Sequence, residues 1–286
     1  TLLDHDTFSF MIVAPVRSIP FLLSMLVLVF KTIVLTLIAA DMIDTGDAVP
    51  LSIPVMVAIE VQIAQFFAVC IAVFSQNDLI TSFKLWYIGF PEDSLKKEFG
   101  DGVSYSKWAI SVFFLFADGC FSLIVTLLLI ITTDEVVSLL LNFTAIEFVA
   151  ALDELGFELS MQGFLGWTNQ FLAERIRAFE FEMGSERKFT PYKKLSALLM
   201  ILLCLLASWA VVLRGQNIGY YHAKNIYVQF DGSLRSDLAG YSGVYTLDIR
   251  TGESGYNRIR YISNKETNNG FFSYCQDSEV WAFGMS

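Results

Sequence analysis

Four long apolar runs constrain this chain more than any other feature of its sequence. They cover residues 21–41, 53–75, 108–132 and 196–214. A hydrocarbon core of about 30 Å is crossed by a helix of about 20 apolar residues. Hydrophobic residues make up 55% of the chain and charged residues only 17%, against about 25% in a typical soluble domain. The sequence therefore predicts an α-helical polytopic membrane protein.

A fifth stretch, residues 135–152, is shorter and carries Glu147. Its length and composition are compatible either with a membrane span or with a buried amphipathic helix. The distribution of basic residues favours a span. The loop 42–52 has no Lys or Arg, the loop 76–107 has four Lys, and six basic residues precede the last run. Because short cytoplasmic loops are enriched in Lys and Arg, five crossings place every basic loop on the cytoplasmic side.

This topology predicts three parts. Residues 1–20 form a cytoplasmic N-terminal segment, residues 21–214 form the transmembrane domain, and residues 215–286 form an extracytoplasmic domain. After Arg214 the pattern changes to short aromatic and β-branched runs separated by Gly, Ser, Asp and Asn, which is typical of a small β-rich domain. Cys275 lies in this domain, so we expect a disulfide to a cysteine beyond Ser286 or on another chain.

Two further segments have the composition of interfacial helices. Residues 79–90 combine Trp86 and Tyr87 with aliphatic residues, as at the headgroup level of a bilayer. Residues 164–183 place apolar side chains at helical spacing opposite charged ones. The second segment is compatible either with a helix on the cytoplasmic leaflet or with a helix packed against other cytoplasmic segments.

Ionisable side chains occur in four successive predicted spans: Lys31, Glu60, Asp118 and Glu147. Each is costly if it faces lipid, so we expect the four to face one another or a water-filled cavity, with Gln62 nearby. One reading is a structural ion pair between helices. Another is a cation or proton pathway, since the acids outnumber the lysine. A third is that the span boundaries are misplaced.

A second group of acids follows the fourth predicted span. Asp153 and Glu154 are placed by the predicted topology at its cytoplasmic C-terminal end, where the helix dipole disfavours carboxylates. We therefore expect a basic partner such as Arg175 or Arg177, in preference to a bound metal ion.

Several functional classes lack support in the sequence. The formal net charge of −10 disfavours nucleic acid as a partner. With two His and four Cys and no ligand spacing, no zinc or thiol-redox site is predicted. No P-loop, nucleophile elbow or selectivity-filter motif is present, so we predict neither an enzyme nor a cofactor. The predicted partners are the lipid bilayer and other membrane subunits or further copies of this chain.

Three segments carry a resemblance to a known family. They are HDTFSFMIVAPVRSIPFLL near the start, TDEVVSLLLNFTAIEFVAALDELGFELSMQGFLG in the middle, and SGVYTLDI, RIRYIS and GFFSYCQDSEVWAF at the end. They resemble multi-pass membrane proteins of stramenopile algae that carry an external β domain. The resemblance implies this topology, and an external domain that often continues to a further cysteine. It implies no activity.

Two functional hypotheses follow. The first is a structural or receptor-like subunit that presents the external β domain to a partner. The second is a cation or proton channel or transporter subunit that uses Lys31, Glu60, Asp118 and Glu147. A hydrated path to these side chains favours the second, and a dry ion-paired core favours the first.

Overall fold

The structure is a computed structural model, and it describes residues 3, 5–43, 53–54, 57–100, 102–179, 191–217, 220, 225–229, 241–248, 260–263, 270–275 and 280–285. Within these ranges ten helices precede five strands. The helices are α1 Thr7–Val13, α2 Ile19–Ile43, α3 Ile59–Ser75, α4 Asn77–Ile88, α5 Glu92–Phe99, α6 Tyr105–Thr132, α7 Val136–Ala150, α8 Leu152–Met161, α9 Trp167–Ala178 and α10 Pro191–Asn217. The strands are β1 Asn225–Val228, β2 Gly243–Asp248, β3 Arg260–Ser263, β4 Gly270–Cys275 and β5 Val280–Met285.

Three of the described helices, α2, α6 and α10, are each long and apolar enough to cross a membrane. Two pairs of consecutive helices are each separated by a sharp bend, and the number of candidate spans rises to five if each pair is one broken span. The pair α3/α4 bends by 40° and the pair α7/α8 by 48°. A helical architecture is therefore confirmed, with three to five candidate apolar spans by length and composition where about five were predicted.

Each bend is a true interruption of the helix. At Gln76 the backbone leaves the helical region, with ψ at 81°, and α4 begins at the next residue. At Ala151 ψ is 4°, and α8 begins immediately after it. Each interruption creates a new helix N-terminus inside an apolar stretch, with unpaired N–H groups and a positive dipole end. Acidic residues occupy both new first turns: Asp78 in α4, and Asp153 with Glu154 in α8.

The helices form two units with the same order of elements. A continuous helix (α2 or α6) is followed by a broken one (α3/α4 or α7/α8) and then by a short helix (α5 or α9). The continuous helix of each unit packs against the broken helix of the other, and α2 and α6 also contact each other. The centre of the helical body is therefore lined by the middle of two continuous helices and by both breaks.

The N-terminal helix α1 is buried along its whole length. It packs against α2, α6, α8 and α9, with Phe10 stacked on Phe157. Its C-terminal end is held by Lys107, whose ammonium donates to the carbonyls of Ala14 and Gly102. Residues 1–20 are predicted to be cytoplasmic, and within them α1 is part of the helical core.

The two segments predicted as interfacial are also partly packed. Most of residues 79–90 belongs to α4, which buries Leu79, Ile80, Leu85 and Ile88 and packs against α6, while Trp86 and Tyr87 stay exposed. Helix α9 buries one face against α8, α2 and α1. Of the two alternatives for residues 164–183, packing against neighbouring segments agrees with the buried face of α9.

The C-terminal strands form one antiparallel sheet in the order β1-β2-β3-β4-β5. Tyr245 of β2 is fully buried, and its ring packs edge-on against Phe272 of β4. The predicted β-rich C-terminal region is confirmed. Cys275 ends β4 opposite Val280, but its side chain lies outside the described part of the chain, so its disulfide stays a prediction.

Candidate charged centre

Lys31 is the hub of a buried group of charges in the middle of the helical body. It lies halfway along α2, and its side chain is completely buried. Its ammonium is 2.6 Å from Asp118 Oδ2, 3.0 Å from Asp78 Oδ2 and 3.1 Å from Asp153 Oδ1. Asp118 comes from the middle of α6. One lysine therefore binds three carboxylates that come from three different helices.

Asp78 and Asp153 reach Lys31 because of the helix breaks. Each is the second residue of its half-helix, so its carboxylate lies beside unpaired N–H groups and the positive end of the dipole. An uninterrupted helix would offer no free N–H groups at these positions. The breaks thus stabilise two carboxylates in the apolar interior of the helical body, where an isolated charge is costly.

A fourth carboxylate, that of Asp6, completes the group. Asp6 is the N-cap of α1 and accepts hydrogen bonds from the backbone N–H of Ser9 at 2.8 Å and from its hydroxyl at 3.0 Å. One carboxylate oxygen each of Asp6, Asp78 and Asp153 lies within 4.8 Å of the others. Three helix N-termini therefore meet at one point, each bringing one aspartate. We call Lys31, Asp6, Asp78, Asp118 and Asp153 the charged centre.

The charged centre holds more negative than positive charge. Four aspartates face one lysine, and the three helix ends offset about half a charge each. No N–H or O–H group of the described residues donates to Asp118 Oδ1 or Asp153 Oδ2. Asp78 and Asp118 bind the same ammonium, so their two carboxylates also repel each other at short range. Bound protons or a bound cation would remove the excess charge.

Carboxylate oxygens are the ligands that hard cations prefer. Those of Asp6, Asp78 and Asp153 lie close enough to one another to bind a single ion. Two features oppose a metal ion there. The Lys31 ammonium already lies about 3 Å from two of these carboxylates, and three positive helix ends point at the same place. A proton adds charge to a single oxygen and needs no such space, so the arrangement fits protons better.

The centre reaches the protein surface at one side. The side chain of Asp78 is 13% exposed, whereas those of Lys31, Asp118 and Asp153 are at most 1% exposed. Beside it, Asn77 donates to Glu154 at 3.3 Å, and both side chains are exposed. The surface next to Asp78 is therefore polar where the two helix breaks meet it.

The structure brings together Lys31 and Asp118 of the predicted cluster and leaves its other three members outside. Glu60 is exposed in the first turn of α3, about 22 Å along the helix from the break. Gln62 donates to the Val57 carbonyl at 2.7 Å. The reason is that α3 begins at Ile59 and not at residue 53, so both lie at a helix end. Glu147 lies beside Ser75, and its Oε1 is buried with no donor among the described residues.

Asp153 has a different partner from the predicted one. Arg175 contacts Glu98 and lies over the rings of Phe99 and Phe171, while Asp153 pairs with Lys31. The prediction assumed that Asp153 ends a helix, whereas it starts one, so the helix dipole favours its charge.

The sequence analysis missed Asp6, Asp78 and Asp153 as members of the centre. The sequence holds a local indication for two of them. Asp6 precedes an apolar run with Ser9 three residues later, which is an N-cap pattern, and Asn77-Asp78 is typical of a helix start. The break before Asp153 has no such marker, because Ala150, Ala151 and Leu152 favour an uninterrupted helix.

Fold and site together define a helical protein with up to five apolar spans and a buried lysine–aspartate centre at two helix breaks. No family model matches the chain, and neither a curated protein nor a solved structure is detectably similar to it. The resemblance to an algal membrane family stays a prediction.

Proposed function

We propose that this chain is a five-span integral membrane protein that moves protons across the bilayer, alone or coupled to a solute, through the charged centre. The observation that carries the proposal is the excess of buried acid. A structural ion pair for Lys31 needs one carboxylate, and three contact it. Buried charges left unpaired cost several kcal/mol each, and protons remove that cost reversibly.

The broken helices support the same proposal. Interrupted spans whose half-helix ends meet near the bilayer centre are a feature of membrane transporters, where unpaired backbone groups line an ion or substrate site. Here both interruptions meet at Lys31, and the arrangement of two similar units resembles the internal repeats of such folds. A change in the bend of α3/α4 or α7/α8 would move Asp78 or Asp153 relative to Lys31.

Each member of the centre has a role in this proposal. Asp78, the most exposed member of the centre, exchanges protons with the polar surface formed by Asn77 and Glu154. When Asp78 binds a proton it loses its attraction to Lys31, and the ammonium pairs with Asp118 and Asp153 alone. Lys31 thereby links the protonation of Asp78 to the packing between α2 and the broken helices.

The proposed orientation has the N-terminus in the cytoplasm and the sheet β1–β5 outside. It rests on the basic residues near the α6 N-terminus. Phe90 contacts Tyr105 there. The neighbouring helices α4, α5, α9 and α10 carry the basic residues Lys84, Lys96, Lys97, Arg175, Arg177, Lys193 and Lys194. Such clusters are typical of the cytoplasmic side.

The structural or receptor-like alternative is favoured by one observation, the five-stranded C-terminal sheet, which could bind an external partner. The enclosed centre also agrees with the dry core expected for that class. A structural ion pair needs only one of the four aspartates, so this alternative gives the other three no role. Proton movement is therefore the better supported function.

Proton flux in proteoliposomes tests the proposal. With a pH-sensitive dye inside the vesicles and a potassium diffusion potential imposed by valinomycin, the full-length protein should acidify the lumen faster than empty vesicles. Asp78→Asn should slow the flux by at least about tenfold, because the amide carries no proton. Glu60→Gln, at the far end of α3, is the matched control and should keep the flux. Equal rates for protein-containing and empty vesicles, with solute gradients absent or present, would overturn the proposal.

A further inference from the structure

A surface pocket of about 310 Å³ lies between α4 and α10, away from the charged centre. Its walls are almost entirely apolar. It is lined by Phe83, Trp86, Tyr87, Lys193, Ala197 and Met200. The functional proposal makes no use of it.

A single cation stands at the rim of this pocket. The Lys193 ammonium lies 3.9 Å from the centre of the Tyr87 ring and donates to its hydroxyl. Lys194 follows it and is exposed. Within the described ranges, no ion pair joins Lys193 or Lys194 to a carboxylate.

The surroundings place the pocket at a membrane surface. Trp86 is 70% exposed and Tyr87 44% exposed, and Tyr105 and Tyr192 nearby are exposed as well. Exposed Trp and Tyr with an apolar body and a polar tip are typical of the headgroup level. The basic residues at this end of the helices belong to the side that faces anionic lipids.

We propose that the pocket is a binding site for one anionic phospholipid, with an acyl chain between α4 and α10 and the phosphate against Lys193 and Lys194. The apolar walls fit an acyl chain, and the cationic rim is complementary to an anionic headgroup. This site is independent of the proton proposal, because it needs only that α4 and α10 lie in a bilayer. The bound lipid joins α4, which starts at Asp78, to the peripheral helix α10.

Quenching of Trp86 fluorescence by brominated lipid tests the site. The full-length protein is placed in phosphatidylcholine nanodiscs with a small fraction of dibromo-phosphatidylglycerol or, separately, of dibromo-phosphatidylcholine. The difference between the wild-type chain and Trp86→Phe isolates the signal of Trp86. We expect half-maximal quenching at an about fivefold lower fraction of the anionic lipid for each lysine that contacts it.

Variants distinguish the contribution of the Lys193 charge to lipid binding from that of the apolar pocket. Lys193→Gln should reduce the preference for the anionic lipid, Lys193→Arg should keep it, and Ala197→Phe should weaken quenching by filling the pocket. Lys96→Gln, an exposed lysine already paired with Glu92, is the control and should behave as the wild type. Equal quenching by the two lipids would overturn the proposal in favour of ordinary annular contact. Absence of quenching by either would overturn it in favour of a covered surface, as in contact with a second copy.

Discussion

At the residue scale, Lys31 illustrates how a charge can be stable in an apolar interior. Its stem is surrounded by helix side chains, and its ammonium meets three carboxylates at 2.6–3.1 Å. Two of those carboxylates are themselves stabilised by helix N-termini. The lysine and the acids therefore depend on each other, and removal of either side leaves a buried charge without its counter-ion.

Replacement of the hub lysine tests this dependence. Lys31→Met keeps the apolar stem and removes the charge, which leaves three carboxylates facing one another. We expect a loss of about 3–5 kcal/mol, the usual cost of breaking a buried ion pair from one side. A large drop in the thermal midpoint of the detergent-solubilised protein is the measurement.

The matched control is Lys96→Gln, which removes an exposed pair with Glu92 and should cost less than about 1 kcal/mol. In the Lys31→Met background, Asp118→Leu should restore part of the lost stability, because it removes the nearest unpaired acid. A Lys31→Met protein as stable as Lys96→Gln would show that the carboxylates are already neutral without the lysine.

At the element scale, the close approach of α4 to α6 brings Asp78 to Asp118. Gly119 follows Asp118 on α6 and faces the start of α4. A Cβ built on Gly119 would lie 2.9 Å from the backbone nitrogen of Leu79 and 3.2 Å from its Cα. Leu79 is the residue after Asp78, so the missing side chain at Gly119 lets the two helices meet at the level of the charged centre.

Gly119→Ala should therefore push α4 away from α6. Overpacking against backbone costs about 1–3 kcal/mol, which exceeds the gain of up to about 1 kcal/mol in helix propensity. We expect a lower thermal midpoint than in the wild type. Gly102→Ala is the control, because its added Cβ would meet Pro15 at an ordinary 3.7 Å. An unchanged or raised midpoint for Gly119→Ala would contradict the close approach.

At the scale of the whole molecule, the two units share their order of elements and place corresponding residues at the centre. Lys31 and Asp118 come from the continuous helices, and Asp78 and Asp153 from the second residue of the half-helices. Helix α10 lies outside this arrangement, with none of its most apolar 18-residue window buried.

Epitope tags test the proposed orientation in intact cells. Tags near Gly100 and Gly184 should both be reached only after permeabilisation, because five spans put both on the cytoplasmic side. A tag after Ser286 should be reached without it. Accessibility of the Gly100 and Gly184 tags on opposite sides would contradict five spans, and a shielded Ser286 tag would contradict an external sheet.

The sequence by itself determined the features that depend on local patterns. Apolar runs predicted the number of candidate spans, and the change of period after Arg214 predicted the sheet. Lys31 was predicted to meet at least one of Glu60, Asp118 and Glu147, because an ionised side chain in an apolar run is costly without a partner. These predictions need only hydrophobicity, periodicity and the cost of a buried charge.

Only the tertiary structure decided which other acids join Lys31. Asp78 and Asp153 are 47 and 122 residues away from it in sequence. Asp78 lies in the predicted loop 76–107, and Asp153 was placed at the end of the fourth predicted span. Their place follows from breaks at Gln76 and Ala151. Breaking a helix costs the free energy of the backbone hydrogen bonds of one turn, and contacts with other helices offset that cost. An apolar run does not show where its helix is interrupted, because those contacts are made with residues far away in sequence. At these breaks the lost backbone bonds are offset by the ion pairs with Lys31.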